Sequence, residues 1–513
     1  MSAPVTTPFG AGVAPAIIDS PDRRRRALVI GAGVGGLATA VRLAHAGYRV
    51  TVVEQHDGPG GRAGAFHSEG FTFDRGPSMV MMTECWHQLF GDVGRRLEDY
   101  LTLVQCDPTY RLHFADGATL EMTSQLNQLL ANLERLEPGC TPRALQFLSH
   151  TGELYRRGIE FISRNMHQPT SMLKVGGMGL RYGAGALGDL RRMVGRYFKD
   201  ERLRQALTFQ SLYLGLSPYD SLAIYGLLAY TELAGGIHYP MGGMVQLPLA
   251  LERLATELGV EFRYQTPVSH LEQAGDQIRA AVLADGSRLS ANLIVSNADL
   301  PFTHDQLLGK PYPGIERKEF SCSVVLMYLG VNRTYPGLLH HNLAVSADLR
   351  TSCHQLFVDQ VMPDDPPFYV VANTRTDPSM APPGCENIFV LVLAPSQNPA
   401  RPIDWSMEGP RVEQRTLERL ERFGLTDLRQ HIVTKHLFTP SDFTSRYGNL
   451  RGEAFGLSHG LSQIGYFRPH NRHHRYRNLY FVGQSTHPGC GLPMVLISAD
   501  CVVQRIREES VAP

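Results

Sequence analysis

The rhythm of apolar and polar positions changes several times along the chain. Ala27-Leu-Val-Ile30 is a short continuous apolar run, the pattern of a strand buried on both faces. It stops at a glycine cluster beginning with Gly31, and a helical run follows. Tyr48-Arg-Val-Thr-Val-Val53 predicts a second strand, which ends on Glu54. From about 85 to 234, charges and apolar residues recur at spacings of three and four, which predicts a largely helical region. Within it, Ser221 to Tyr230 is apolar nearly all round and should be buried or face something apolar. After a Gly-rich loop at 235–243, Met244 to Leu258 reads as an amphipathic helix stopped by Gly259. Val260 to Tyr264 reads as a strand, Gln277 to Leu289 as a hairpin around Asp285-Gly286, and Leu293 to Ser296 as a further strand. Strand-like runs at Ser323–Val331, Phe368–Ala372 and Asn387–Leu393 are separated by Pro-rich loops. Asn478 to Val482 predicts a last short strand, and Met494 to Ile506 a last helix.

These shifts predict an α/β protein. Segments 27–84, 235–300 and 426–513 form one discontinuous nucleotide-binding domain. Residues 85–234 form a helical region, 301–425 a second, sheet-based domain, and 1–26 a disordered lead-in. With 513 residues the chain can bury large cores. Its 49 basic and 49 acidic residues balance, so nothing points to nucleic acid. Eight cysteines occur without a CxxC pair, so neither a zinc site nor a disulfide framework is indicated, and a reducing cytoplasm fits. The first 26 residues end in Arg23-Arg24-Arg25-Arg26 and lack the apolar core of a secretory signal. No apolar run is long enough to span a bilayer.

The chemistry starts at Gly31-Ala-Gly33-Val-Gly35-Gly36. Strand, glycine turn, helix, second strand and terminal acid is the βαβ order of a dinucleotide site. Gly31 permits the tight turn, Gly33 lets backbone approach a pyrophosphate, and Gly36 lets helix and strand pack closely. The helix N-terminus offers N–H groups and positive partial charge to the phosphates. Glu54 lies 23 residues after Gly31, where its carboxylate can accept bonds from ribose hydroxyls. Two features favour FAD over a nicotinamide. Gly60-Gly61-Arg62 suits a second grip on the pyrophosphate through a guanidinium. The late loop Gly483-Gln-Ser-Thr-His487-Pro488-Gly489-Cys-Gly491 repeats the geometry of an anion-binding helix start, here aimed at the flavin edge. FAD is thus expected to be held at its ADP end by residues 31–62 and at its flavin end by 483–495. The predicted cofactor set is Gly31, Gly33, Gly35, Gly36, Glu54, Gly61, Arg62, Val268, Gly483, His487, Pro488, Gly489 and Met494. The His-rich run Arg468 to Arg475 is strongly cationic and lacks acidic or thiol partners, so no metal site is predicted there.

From about residue 27 to 506 the sequence resembles the carotenoid desaturase family, the bacterial phytoene and diapophytoene desaturases and their relatives. The matching stretches are Gly-Phe-Thr-Phe-Asp74-Arg-Gly76-Pro77, Gly236-Ile-His-Tyr-Pro-Met-Gly242-Gly243-Met, Val295-Ser-Asn297-Ala-Asp299, Phe467-Arg468-Pro469 and Asn478-Leu-Tyr-Phe-Val-Gly-Gln-Ser-Thr-His487-Pro488-Gly489. The resemblance implies non-covalent FAD in a split Rossmann-like domain, a mixed-sheet substrate domain, a helical membrane-associated region, and removal of two hydrogens at a time from a long isoprenoid. Tyr335-Pro-Gly-Leu-Leu-His340-His341-Asn looks rather like the related carotenoid oxygenases or ketolases, whereas the Thr-His-Pro-Gly loop favours a desaturase. Gln484 and Cys490 depart from the family pattern. So does Gln146 to Gly152, from which no catalytic acid or Arg is transferred. A flavin-free prenyl-binding escort protein and a flavin amine oxidase are competing readings.

Flavin N5 would take the hydride, and the proton next to a polyene leaves easily, so no strong base is demanded. Catalytic side chains stay unassigned. His487 would sit near the ring, with a proton-transfer role and a loop-bonding role equally open. Exposing about 30 to 40 carbons to water costs on the order of 20 kcal/mol or more, so substrate must pass from lipid into an apolar tunnel. Nine Lys/Arg (156, 157, 164, 174, 181, 191, 192, 196, 199) against Glu160 and Asp189 mark a surface for anionic headgroups. The predicted partners are therefore a long isoprenoid, an anionic membrane surface, and oxygen or a quinone as electron acceptor. The predicted location is cytoplasmic and peripheral to the membrane.

Overall fold

The computed structural model of the chain describes residues 25–168, 170 and 185–511. At its centre five parallel strands lie in the order Leu479–Phe481, Leu293–Ser296, Arg26–Ile30, Arg49–Val53, Glu261–Arg263. Leu293–Ser296 and Arg26–Ile30 are short, largely apolar runs because helices cover the sheet. Helix Val34–His45 packs against helices Gln246–Glu257 and Leu492–Val511, and Val29, Leu37, Val41, Leu251 and Val502 close the layer between them. The first strand begins at Arg26, one residue inside the expected lead-in, whose residues 1–24 lie outside the described residues. The predicted hairpin forms between Gln277–Leu283 and Arg288–Leu289, with Gly286 at φ +83° in its turn.

A second sheet has seven strands in the order Ile432–Phe438, Ser323–Val331, Glu386–Ala394, Phe368–Val371, His341–Ala344, Tyr110–His113, Thr119–Met122. All neighbours are antiparallel except His341–Ala344 with Tyr110–His113. Its composition departs from the expected boundaries. Two of its strands come from the 85–234 stretch read as helical, and Ile432–Phe438 comes from the 426–513 stretch assigned to the nucleotide-binding domain. Tyr110–His113 and Thr119–Met122 have four residues each, joined through Asp116-Gly117, and four residues show too little alternation to stand out. Helix Trp405–Arg422 packs on one face of this sheet through Trp405, Val412 and Leu420.

The remaining layer is helical: Leu126–Leu136, Thr141–Ile162, Leu190–Val194, Glu201–Ala206 and Leu227–Gly235. The apolar stretch 221–230 lies in its core through Ala223 and Ala229. Glu232 is fully buried here and ties helix to sheet, accepting from Tyr110 Oη at 2.9 Å and Gln210 Nε2 at 3.0 Å. Burial pushes its carboxyl up from 4.5 to about 7. The folded state therefore holds this proton more tightly than the unfolded chain, and stability falls as pH rises through the interval from 4.5 to about 7. Glu232→Gln keeps both acceptor bonds and carries no charge. It is expected to unfold like the wild type at pH 4, below the interval, and to be more stable by roughly 3 kcal/mol at pH 8. Denaturant melts at the two pH values check this, and equal stabilities at pH 8 would refute it.

Candidate active site

One continuous cavity of about 560 Å³ runs from the C-terminal ends of the parallel strands into the seven-stranded sheet. Its first part is walled by the dinucleotide residues. Gly31, at φ +96°, donates its N–H to Val53 and turns the chain into the first helix. Gly33, Gly35, Glu54, Gly61, Arg62, Val268 and Gly483 all line the same space. Gly36 stands behind them, where a Cβ would lie 2.1 Å from the Gly31 carbonyl oxygen. Glu54 accepts the Ala32 N–H at 2.8 Å on one carboxylate oxygen and the His56 N–H at 2.9 Å on the other. Each oxygen keeps a lone pair for a ribose hydroxyl. Asn297 joins the strand ends, donating to the Val482 carbonyl at 3.1 Å and standing where any side chain at Gly33 would collide with it.

Arg62 crosses the middle of the cavity to Gln484 and to the Ala454 carbonyl. Around it lie buried polar atoms without protein partners: Asp299 Oδ2, Glu453 Oε1 and Gln484 Nε2. Burial pushes the Asp299 and Glu453 carboxyls up, and the Arg62 charge opposes that. Unpaired polar atoms at a guanidinium, two helix starts and a glycine cradle suit a long dinucleotide with a polar middle. The residues present fit FAD.

Besides Gly36, four predicted cofactor residues, His487, Pro488, Gly489 and Met494, do not reach the cavity wall. His487 is 2% exposed and turns away, its Nε2 against the Ile162 carbonyl at 3.1 Å and the Arg164 carbonyl at 3.0 Å. Burial lowers it to about 4, so it stays neutral and fastens the end of helix Thr141–Ile162 to the loop. Gly489, at φ +150°, allows that loop to pass His459, 2.3 Å from where a Cβ would stand. The last helix meets the cavity instead through Gly491, Leu492, Pro493 and Val495.

Three contributions were not visible in the motifs. Arg468, 1% exposed, donates to the carbonyls of Thr486, Ser458, Gln463, Leu457 and Gln484, and so sets the late loop. In the same His-rich run, His473 Nδ1 accepts the N–H groups of Arg475 and Tyr476. Asp74 accepts Tyr239 Oη at 2.6 Å and the Met244 N–H at 2.7 Å, tying two of the matching motifs together. Beyond Arg62 the cavity walls become apolar: Met79, Leu112, Phe209, Leu343, Leu391, Leu393 and Phe438.

A parallel sheet carrying a dinucleotide cradle, joined to an apolar chamber, defines an FAD-dependent oxidoreductase. The comparisons agree. Residues 34–324 match the family of flavin containing amine oxidoreductases. The zeta-carotene-forming phytoene desaturase of Myxococcus xanthus is 45% identical over 94% of this chain and 94% of its own. The 4,4'-diapolycopene oxygenase of a Methylomonas species is 35% identical over 94% of this chain and 98% of its own. An oxidoreductase from Methanosarcina mazei shares the fold, with a TM-score of 0.64 at 16% identity, over 93% of this chain and 100% of its own. The chain belongs to the carotenoid desaturase family.

Proposed function

We propose that this protein introduces double bonds into a long isoprenoid, phytoene or its shorter counterpart diapophytoene, in carotenoid biosynthesis. FAD supplies a two-electron acceptor for the hydride. The chain's residues position it, exclude water and hold the polyene. The observation that carries this reading is the continuity of the cavity, from the Glu54 and Arg62 grips to walls of Leu, Met and Phe. The 45% identity to a phytoene desaturase, against 35% to an oxygenase, supports desaturation over oxygen insertion. The test is expression in cells that make phytoene or diapophytoene. A pigment lighter by two hydrogens per step is expected, and a pigment that only gains oxygen would contradict the reading.

The cofactor assignment yields its own prediction. Glu54→Ala and Arg62→Ala each remove charge-assisted bonds and are expected to lower FAD affinity about tenfold or more. Flavin absorbance per protein after gel filtration reads this out. Full occupancy in both variants would refute the assignment.

Membrane docking is the second part of the proposal. No helix among the described residues is long and apolar enough to cross a membrane. Support for peripheral docking comes from Phe467 and Leu461, 54% and 52% exposed, on a loop whose Gly465 packs against Phe161 near Arg164. Part of the basic stretch is neutralised: Arg156 and Arg157 bond Glu153, and Arg191 bonds Glu201. Lys174 and Arg181 lie outside the described residues. The insertion of apolar side chains is therefore weighted above charge. Phe467→Asp should weaken co-sedimentation with neutral and anionic vesicles alike, and unchanged binding to both would oppose it. Electrons then pass to oxygen or a quinone.

A further inference from the structure

The apolar part of the cavity contains one hydroxyl with an unusual backing. Tyr369 lines the wall, and its Oη lies 2.6 Å from His341 Nδ1 and 3.0 Å from Ser78 Oγ. The strand register explains the contact. Leu343 pairs with Tyr369 in the antiparallel ladder, so His341, two residues along on the same face, is the diagonal neighbour. Ser78 lies two residues after Gly76, which packs on the Arg62 carbonyl, and Arg62, Gly76, Ser78 and Tyr369 line one and the same cavity. Tyr213 and Tyr447 also line the wall, but neither hydroxyl meets an imidazole among the described residues. His341 is fully buried, its Nε2 has no partner, and its ring lies 4.2 Å from that of His340, whose Nδ1 is 2.6 Å from Thr376 Oγ1. Burial holds both imidazoles well below their ordinary pKa, so before turnover each is neutral and has a lone pair to offer.

We propose that Tyr369 and His341 form the proton acceptor of the desaturation. The inference rests on the desaturase reading above. Removing hydride from one carbon, with its electron pair going to FAD, leaves positive charge beside the polyene. The neighbouring C–H bond then breaks, and its electron pair becomes the new double bond. The proton passes to Tyr369 Oη as the tyrosine's own proton passes to His341 Nδ1. Tyrosine ends neutral and the imidazole ends protonated. A weak base serves because a C–H next to such a cation is strongly acidic. Tyr369, which lines the cavity, is the catalytic residue, and His341 acts through it.

The experiment uses FAD-loaded protein with phytoene in phosphatidylcholine vesicles. Tyr369→Phe keeps the ring and deletes the hydroxyl. Its flavin content and phytoene affinity, read from quenching of flavin fluorescence, should match the wild type. Its single-turnover rate under anaerobic conditions should fall by about 100-fold or more. A second readout is independent of turnover: an isoprenoid amine, whose ammonium mimics the cation, should bind the wild type at least about tenfold more tightly than Tyr369→Phe. His341→Asn should follow Tyr369→Phe in both measurements, which keeps the test alive if one variant fails to fold. A single-turnover rate within about twofold of wild type in Tyr369→Phe would overturn the proposal, as would equal amine binding. Cys106, His340 and His341 also bring one ligand atom each within 4.8 Å of the others. One metal ion per chain, lost in Cys106→Ser, would assign the pair to a metal instead and overturn the dyad. If the wild type itself leaves phytoene unchanged, the desaturase reading falls first and the dyad with it.

Discussion

Gly36→Ala is expected to abolish flavin retention. The new methyl group would stand 2.1 Å from the Gly31 carbonyl oxygen and 3.1 Å from the Asn297 side chain. Both the turn and the helix backbone are held, the turn through the Gly31 N–H donated to the Val53 carbonyl and the helix by burial of Leu37, Ala40 and Val41. Helix and turn must therefore part by about 1 Å, a small-to-large change at a close-packed contact that costs on the order of 1–3 kcal/mol. The same shift moves the N–H groups of the helix start off the phosphates. Flavin per protein should fall more than about tenfold, with a lower melting temperature. Gly35→Ala is the comparison. Its methyl meets the Asn297 amide at 3.0 Å and the Val482 side chain at 3.3 Å, and side chains can yield. It should lose less flavin. A Gly36→Ala chain that stays fully yellow would show that close packing at this turn is not what holds the cofactor.

Arg468→Met should be the most damaging change outside the cradle. The guanidinium is 1% exposed and makes five hydrogen bonds to backbone carbonyls, with its pKa lowered to about 10 by burial. Methionine fills most of the space and satisfies none of those oxygens. Leaving several buried acceptors unpaired costs about 3–5 kcal/mol. Two of them, on Gln484 and Thr486, belong to residues of the cavity wall, so flavin should be lost along with stability. Arg468→Lys restores a charge but not the planar fork, and should recover only part of either. Urea melts and flavin content measure both, and a stable, yellow Arg468→Met would contradict this account of the late loop.

Legibility in the sequence followed from how locally each feature is encoded. Leu293–Ser296 and Ser323–Val331 were read to the residue because both are continuous apolar runs bounded by turns. The cradle was legible because turn, helix start and acid fall within one βαβ unit. Tyr110–His113 and Thr119–Met122 were missed because four residues hardly reveal a period, and Ile432–Phe438 because an edge strand of mixed exposure looks like loop. His487 illustrates another limit. Its loop does reach the cavity, but a sequence does not tell which way one imidazole points, and this one bonds helix carbonyls. Arg468 and the Tyr369–His341 contact are tertiary facts. The latter joins residues 28 apart through a strand register that no motif states.

The central claim is that one cavity holds FAD and desaturates a long isoprenoid beside it. Anaerobic mixing of the FAD-loaded protein with phytoene in vesicles tests it most directly. The account predicts bleaching of the flavin's visible absorbance in step with a product lighter by two hydrogens for each flavin bleached. Flavin that stays oxidised while bound phytoene is recovered intact would contradict it.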